Sequence, residues 1–446
     1  MRLELHEAAG AFERLEAWLQ ERGFFAPDGE GLVADLYLGY GLSRAIRRDA
    51  GPPPPEPCPL PLLACVVRED NYHVVHEEDR ASRAHSPDGG YAVGGWERTW
   101  SEGDYRAAVH AVRSAIGRGD VYQVNLVQHL AAPFRGDPRA LAARLRHLPQ
   151  PRDWPLADGA WRVLEGEVGA DGAPSWAIVS GSPELYLARR GDRAWTMPIK
   201  GTRPAGWAAE LHASAKDAAE HVMIVDLERN DLSRVCEAGS VRWPQLMATE
   251  PLAGVEHMVS LVEGRLRPGV GLAELLAATF PGGSITGAPK IAAVDVIVDL
   301  EPVGRGASMG ALGRVHGNGD LELALTIRTF AIAEGRIHLW VGGGVVWDSD
   351  PAAEVAESLT KARPLLAAIG APLPEDGGAT GSTPFPAAPA ASAAASRPAD
   401  RAPSRTAEPA DARASRTALD RSARPVGPEA APGGRGRPAG TAGGSS

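Results

Sequence analysis

RIHLWVGGGVVWDSDPAAEVAESLTKARP, residues 336–364, carries a strand-to-helix junction from which the architecture can be read. Residues 336–347 are rich in β-branched and aromatic side chains, and this predicts a strand. Gly342, Gly343 and Gly344 lie inside it. Glycine weakens a strand interior and marks a place where a ligand or another backbone comes close. Ser349 or Asp350 then offers an N-cap and Pro351 suits a first turn, so a helix follows over 352–369. Along it Glu354 and Glu357 are three residues apart, with Lys361 four further on, which places all three on one helix face.

The same two patterns recur on either side. Strand-like runs are LLACVV (62–67), VYQVNLVQHL (121–130), ELYLARR (184–190), RAWTMPI (193–199) and ALTIRTFAIA (324–333). Helical spacing appears at 7–22, 102–118, 208–235, 271–279 and 289–300. Strands interleaved with helices and with hairpin-like pairs predict one large α/β or α+β body, with no internal repeat and no linker inside 1–370.

Composition limits what that body can be. The chain has 446 residues, 44% hydrophobic and 23% charged, with a net charge of −10. Residues 377–446 are mostly Ala, Pro, Gly, Ser, Thr and Arg with one aromatic, Phe385, and such a stretch buries too little apolar surface to order itself. That tail carries nine Arg against five acids, which leaves −14 on residues 1–376. An acidic body argues against nucleic acid as a partner, and no apolar run approaches the length of a membrane span. The three cysteines, Cys58, Cys65 and Cys236, form neither a CxxC nor a Cys/His cluster. With no signal-type apolar core at the start, a reducing cytoplasm is the expected compartment.

The groups able to do chemistry are few. SAKDAAEHVMIVDLERND places Asp217 and Glu220 three apart on a helix. Together with Glu354 and Glu357 they could hold a hard cation such as Mg²⁺, although two solvated helix faces would show the same spacing. TFPGGSITGAPK (279–290) has a glycine-rich turn ahead of a helix, the form of an anion site. It is not a nucleotide-binding loop, because Ala288 and Pro289 separate Gly287 from Lys290. Arg328 stands alone in an apolar run and needs a carboxylate, from the protein or from a ligand. Glu184 follows a Pro turn and could act as a general acid if desolvated. Only four of 46 basic residues are lysine: Lys200, Lys216, Lys290 and Lys361. An amine can be a nucleophile where a guanidinium cannot. No nucleophile–histidine pair is placed by the sequence.

Taken in order, GDVYQVNLVQHL, SGSPELYL, MPIKGTRPAG, AEHVMIVDLERNDLSRVC, HMVSL, FPGGSITGAPK, RGASMGALG, LTIRTF and GGGVVWDSDPAAEVAESLTKA resemble the motifs of chorismate-utilising enzymes. The resemblance covers residues 100–368 and, more loosely, 1–99. It implies an α+β sandwich of large antiparallel sheets flanked by helices, with chorismate and Mg²⁺ in a central cleft. It implies an N-terminal part of that fold at 1–99, shorter than in full-length relatives, a catalytic domain at 100–370 and a disordered tail at 371–446.

On the residues, the resemblance implies Glu220 and Glu357 as metal ligands, supported by Asp217 and Glu354. It implies Gly201, Thr202, Arg328, Gly342, Gly343 and Gly344 as chorismate contacts, and Gly283 and Ser284 as the turn holding a substrate carboxylate. His257, Lys361 and Gln123 join the substrate-binding set. Lys200 becomes the nucleophile and Glu184 the acid. Relatives that add water to chorismate carry a base lysine where this chain has Gln123, so ammonia is the implied nucleophile. PIKGT and GGSITGAPK resemble the aminodeoxychorismate synthase branch rather than the PIAGT and GGTVSGAPK of anthranilate synthases. A separate glutamine amidotransferase is the implied ammonia source. The alternatives are an anthranilate synthase component and a non-catalytic chorismate-binding paralogue. One departure is Ser308, where relatives usually have an aromatic residue.

Overall fold

The computed structural model describes residues 1–373 apart from 27–28, 30, 49–50, 70–89, 146–147, 149–161, 171, 205 and 253–254. The tail expected from its composition to be disordered lies, from residue 374 on, outside the described residues.

In chain order the strands are β1 (Arg2–Leu5), β2 (Leu32–Leu38), β3 (Leu63–Glu69), β4 (Tyr91–Val93), β5 (Glu97–Arg98), β6 (Gln123–Gly136), β7 (Val163–Glu165), β8 (Trp176–Ser180) and β9 (Leu185–Arg190). They continue as β10 (Arg193–Met197), β11 (Ile199–Pro204), β12 (Arg242–Leu252), β13 (Val255–Arg265), β14 (Gly287–Ala288), β15 (Ala311–His316), β16 (Leu321–Leu325), β17 (Thr329–Ala333) and β18 (Arg336–Val345). The α-helices are α1 (Ala11–Gln20), α2 (Glu102–Arg118), α3 (Pro138–Leu145), α4 (Ala208–Ala213), α5 (Ala215–Ser233), α6 (Leu272–Thr279), α7 (Lys290–Leu300) and α8 (Pro351–Ala368).

The strands form two sheets, and the pairings within them are antiparallel. The larger runs β1-β3-β2-β15-β16-β9-β10-β13-β11, with β12 also on β13. The smaller runs β14-β6-β18-β17-β8-β7, with β4 and β5 also on β6. Strand alternation gives the smaller sheet two apolar faces. Ala177, Val179, Phe330, Ile332, Leu339 and Val341 pack with Leu141 and Leu145 of α3 and Leu365 and Leu366 of α8. Their neighbours Ile178, Ala331 and Trp340 belong to the large core shared with the first sheet and α1. The α+β sandwich of antiparallel sheets flanked by helices is thus the observed fold.

Two crossovers tie the sheets together side by side. β8 and β17 pair in the smaller sheet, with Ser180 opposite Thr329. Their continuations β9 and β16 pair in the larger. The chain therefore changes sheet at 181–184 and again at 326–328, and Gly181 N donates to Arg328 O at 2.9 Å. This corrects the sequence reading of ALTIRTFAIA as one strand. Arg328 adopts φ 50°, outside the strand region, because each half of the run is bound by a different sheet.

Two further expectations change. The stretch 208–235 is two helices, broken at Ser214, whose hydroxyl caps α5 through Asp217 N at 3.2 Å. The glycine-rich turn does not feed a helix directly: residues Gly283–Ile285 form a single 3₁₀ turn, β14 follows and pairs with β6, and only then does α7 begin. At the opening junction Asp350 is the cap, its Oδ1 accepting from Ala352 N at 3.0 Å and Ala353 N at 2.8 Å. Among the described residues no helix is long and apolar enough to cross a membrane.

Candidate active site

Lys200 is aimed by an irregularity in its own strand. The β11–β13 register slips between Lys200 and Thr202, and Gly201 in between takes φ 67°. A side chain there would stand 2.5 Å from Leu211 Cδ1 and 3.6 Å from Asp217, so glycine is what lets α4 and α5 close on the strand. Lys200 Nζ lies 3.2 Å from Glu220 Oε1 and donates to Ser284 O at 3.3 Å, with its side chain 15% exposed. Gln123 Nε2 donates to the same Glu220 oxygen at 2.7 Å. Thr202 pairs with His257 across the strands, and His257 Nδ1 is 3.3 Å from Gly201 O. Burial, with Arg328 nearby, depresses the proton affinity of His257 against the pull of that carbonyl.

The two sheet crossovers deliver Glu184 and Arg328. Glu184 is buried, and burial raises its pKa above the usual carboxylate range. The Lys200 charge, the Ser284 hydroxyl, Ile199 N at 3.5 Å and Arg328 oppose that shift in part. Burial lowers the pKa of the Arg328 guanidinium, with Glu184 opposing. Among the described residues the Arg328 guanidinium forms no hydrogen bond or ion pair, so the carboxylate expected for it from the sequence is not supplied at bonding distance. The turn between Lys200 and Glu184 is held from behind. Arg305 donates to Ile285 O at 3.0 Å and Asn125 O at 2.6 Å, and Glu301 pairs with it at 2.7 Å. Ser308 N donates to Arg305 O at 2.8 Å, while its buried hydroxyl has no hydrogen-bond partner among the described residues.

The acidic pairs of α5 and α8 flank the triple-glycine strand. A Cβ on Gly344 would fall 1.9 Å from Gln123 Nε2 and 2.9 Å from Glu220 Oε1. One on Gly343 would meet Lys361 Nζ at 3.2 Å, Glu357 Oε1 at 3.4 Å and Glu354 Oε2 at 3.5 Å. On Gly342 it would strike Leu126 O at 1.9 Å. The glycines thus leave β18 without side chains between the two acidic groups. Glu354 is buried and its pKa is raised by that burial, partly offset by Ser349. Burial pushes Glu357 the same way, but Lys361 and Lys216 overcome it and hold its pKa low. Lys361 Nζ lies 2.8 Å from Glu357 Oε1 and donates to Gly342 O at 2.9 Å. Asp217 is paired with Arg203 at 2.7 Å.

Among the described residues no three Asp, Glu, His or Cys side chains stand close enough to form a metal cage by themselves. Magnesium does not require one, since it takes one or two carboxylates and completes its shell with water and substrate oxygens. The donors beside Gly343 and Gly344 are carboxylate oxygens without thiolate or imidazole, and this set fits such an ion.

The sequence-derived residues therefore gather as two linked groups. One is Lys200, Glu220, Gln123, Gly344, Ser284 and Glu184, with Arg328 and His257 near it. The other is Glu354, Glu357, Lys361 and Gly343. The sequence reading overlooked Arg203, Arg305 and Glu228, a buried glutamate whose Oε2 accepts from the Thr196 hydroxyl at 2.9 Å. No local signal marked Glu228, because its helix face also carries His221 and Asp231, both buried.

Residues 62–367 match the family described as chorismate binding enzyme, and the chain belongs to that family. It is 39% identical over 284 residues to anthranilate synthase component 1 of Streptomyces coelicolor, covering 62% of this chain and 53% of that protein. It is also 39% identical over 279 residues to aminodeoxychorismate synthase component 1 of Klebsiella aerogenes, covering 61% of this chain and 59% of the relative. The match thus spans somewhat over half the length of these relatives. Among solved structures, anthranilate synthase component I from Streptococcus pneumoniae TIGR4 superposes with a TM-score of 0.62 at 26% identity, covering 75% of this chain and 80% of that one. The menaquinone-specific isochorismate synthase MenF of Escherichia coli shares the fold, with a TM-score of 0.61 at 16% identity over 83% of this chain and 84% of that one.

Proposed function

We propose that this protein converts chorismate and ammonia to 4-amino-4-deoxychorismate, with Mg²⁺ bound and ammonia supplied by a separate glutamine amidotransferase. The observation that carries the reading is the lysine amine between Glu220 and Ser284, with a buried carboxyl, Glu184, beside the same serine.

Lys200 attacks C2 of chorismate once its amine has lost a proton. Both ring double bonds shift, from C1=C2 to C1=C6 and from C5=C6 to C4=C5, and the C4–O bond breaks. Glu184 gives its proton to the departing hydroxyl, which leaves as water. Ammonia then bonds to C4, both double bonds shift back, the C2–N bond to Lys200 breaks to leave the neutral amine, and the new C4 ammonium returns a proton to the Glu184 carboxylate. Burial suits Glu184 to this task, because a carboxyl must keep its proton at neutral pH to donate it. Arg328, with no protein carboxylate on it, binds a substrate carboxylate, and the Gly283–Ser284 turn orients it. Gln123 cannot act as the base that would activate water, and this favours ammonia. Mg²⁺, held by Glu220 and Glu357 with Asp217 and Glu354 in support, supplies positive charge to substrate oxygens when bound. PIKGT and GGSITGAPK support this product over anthranilate.

Incubation with chorismate, MgCl₂ and ammonium at alkaline pH, followed by mass identification of the product, tests the reading. Direct formation of anthranilate would replace it with anthranilate synthesis, a reaction named in relatives of equal identity. Chorismate binding without product would point to a non-catalytic paralogue, for which the Ser308 position is the supporting observation.

A further inference from the structure

The two sheet crossovers are fastened by a line of buried hydroxyls that the reaction just described does not use. Ser180 ends β8 and Thr329 begins β17, and both are buried. The Thr329 hydroxyl donates to Ile327 O at 2.9 Å. A hydroxyl has one proton to give, so Ser180 is the donor in its 2.8 Å contact with Thr329 Oγ1. The line continues along the other crossover. Ser182 N donates to Ser180 Oγ at 3.3 Å, and Glu184 N donates to the Ser182 hydroxyl at 3.2 Å.

The bond from Thr329 to Ile327 spans Arg328. The Arg328 φ of 50° is in the left-handed region, which a residue with a side chain occupies when its surroundings hold it there. Two hydrogen bonds do the holding. Ile327 O belongs to the peptide unit ahead of Arg328, and the Thr329 hydroxyl fixes that unit. Arg328 O belongs to the peptide unit behind it, and Gly181 N donates to that oxygen at 2.9 Å. One bond therefore sets the rotation on the N-terminal side of the Arg328 Cα and the other sets it on the C-terminal side. A side chain makes the first of these, so a substitution can remove it without touching the backbone.

We propose that Thr329 is a positioning residue for Arg328: its hydroxyl, supported by Ser180, holds the peptide unit ahead of Arg328 and so aims the guanidinium. The proposal rests on Arg328 binding a substrate carboxylate in the reaction proposed above. Without the hydroxyl, Arg328 relaxes toward the extended backbone of the strands on either side of it, and its side chain turns away with the backbone.

Chorismate binding, followed by calorimetry with MgCl₂ and without ammonium, reads this role apart from turnover. Thr329→Val keeps the branched shape and removes the hydroxyl. It should weaken binding about tenfold, while Thr329→Ser, which keeps the hydroxyl, should bind within about twofold of the wild type. In an Arg328→Met background Thr329→Val should cost nothing further, because its effect passes through the guanidinium. In turnover with ammonium the loss should appear in KM, with kcat within about threefold, as for a contact made equally before and during the reaction. Should Thr329→Val fail to fold, Ser180→Ala takes the supporting donor from Thr329 and carries the same cycle, with a loss of about threefold in the wild-type chain and none in Arg328→Met. Equal losses in the two backgrounds, or wild-type affinity in a folded Thr329→Val, overturn the positioning role and leave Arg328 as the substrate contact. Unchanged affinity in Arg328→Met alone refutes Arg328 as that contact, and the proposal falls with it.

Discussion

Arg305→Leu tests how the turn under the candidate site is held. Arg305 is 2% exposed, and its partner Glu301 is 5% exposed. The guanidinium donates to both Glu301 oxygens, at 2.8 and 2.7 Å, and to the carbonyls of Ile285 and Asn125. It also lies 4.5 Å from the centre of the Tyr40 ring. Without it, Glu301 keeps Val127 N at 3.1 Å as a donor and remains a buried carboxylate with no cation. Removing one partner of a buried pair costs about 3–5 kcal/mol, and this is the expected loss in urea unfolding followed by tryptophan fluorescence. Changing both residues to leucine removes the stranded charge, so the double variant should be more stable than Arg305→Leu alone. With Ile285 released, KM for chorismate should rise in the single variant. A loss below about 1 kcal/mol, the size of an ordinary substitution, would refute the reasoning. So would a double variant whose cost equals the sum of the two singles.

Lys200→Arg should lower kcat by at least about 10³-fold, since a guanidinium stays protonated; near wild-type turnover would remove the covalent step. Gly344→Ala puts a methyl group on Gln123 and Glu220, and should cut kcat/KM by about tenfold or more while leaving the far-ultraviolet circular dichroism unchanged. A chelator should abolish activity and MgCl₂ restore it, with Glu357→Gln raising the Mg²⁺ needed for half activity; turnover unaffected by chelator would rule out the ion. Folded Glu228 holds its proton up to about pH 8, whereas the unfolded chain releases it in the usual glutamate range. Stability should therefore fall as pH rises through that window, and Glu228→Gln should flatten the fall in urea midpoints.

Local pattern carried much of this structure. The junction at 336–364 forms β18 and α8 within two residues of their expected bounds, and α2 spans the expected 102–118. β12 escaped because Pro244 and Pro251 break its pattern, and its register on β13 shifts twice. The break at Arg328 escaped for a different reason. No glycine or proline marks it, and it exists only because two sheets compete for one run of residues. The i, i+3 carboxylates were legible as faces. Lys361 beside Glu357 was legible too, but the partners of Lys200 and Glu220 were not, because Lys200 and Ser284 are 84 residues apart and Gln123 and Glu220 are 97 apart. Contacts of that separation belong to topology, and only the family resemblance spoke to them in advance.

Glu184 and Arg328 also share a mechanical property. Each sits on one of two adjacent strands that leave one sheet and enter the other at the same level. The paired crossovers are tied into a single joint by the Gly181 N to Arg328 O hydrogen bond at 2.9 Å. The carboxyl and the guanidinium are thus carried by one joint and not by separate sheets, so a change in how the two layers meet would reach both groups at once.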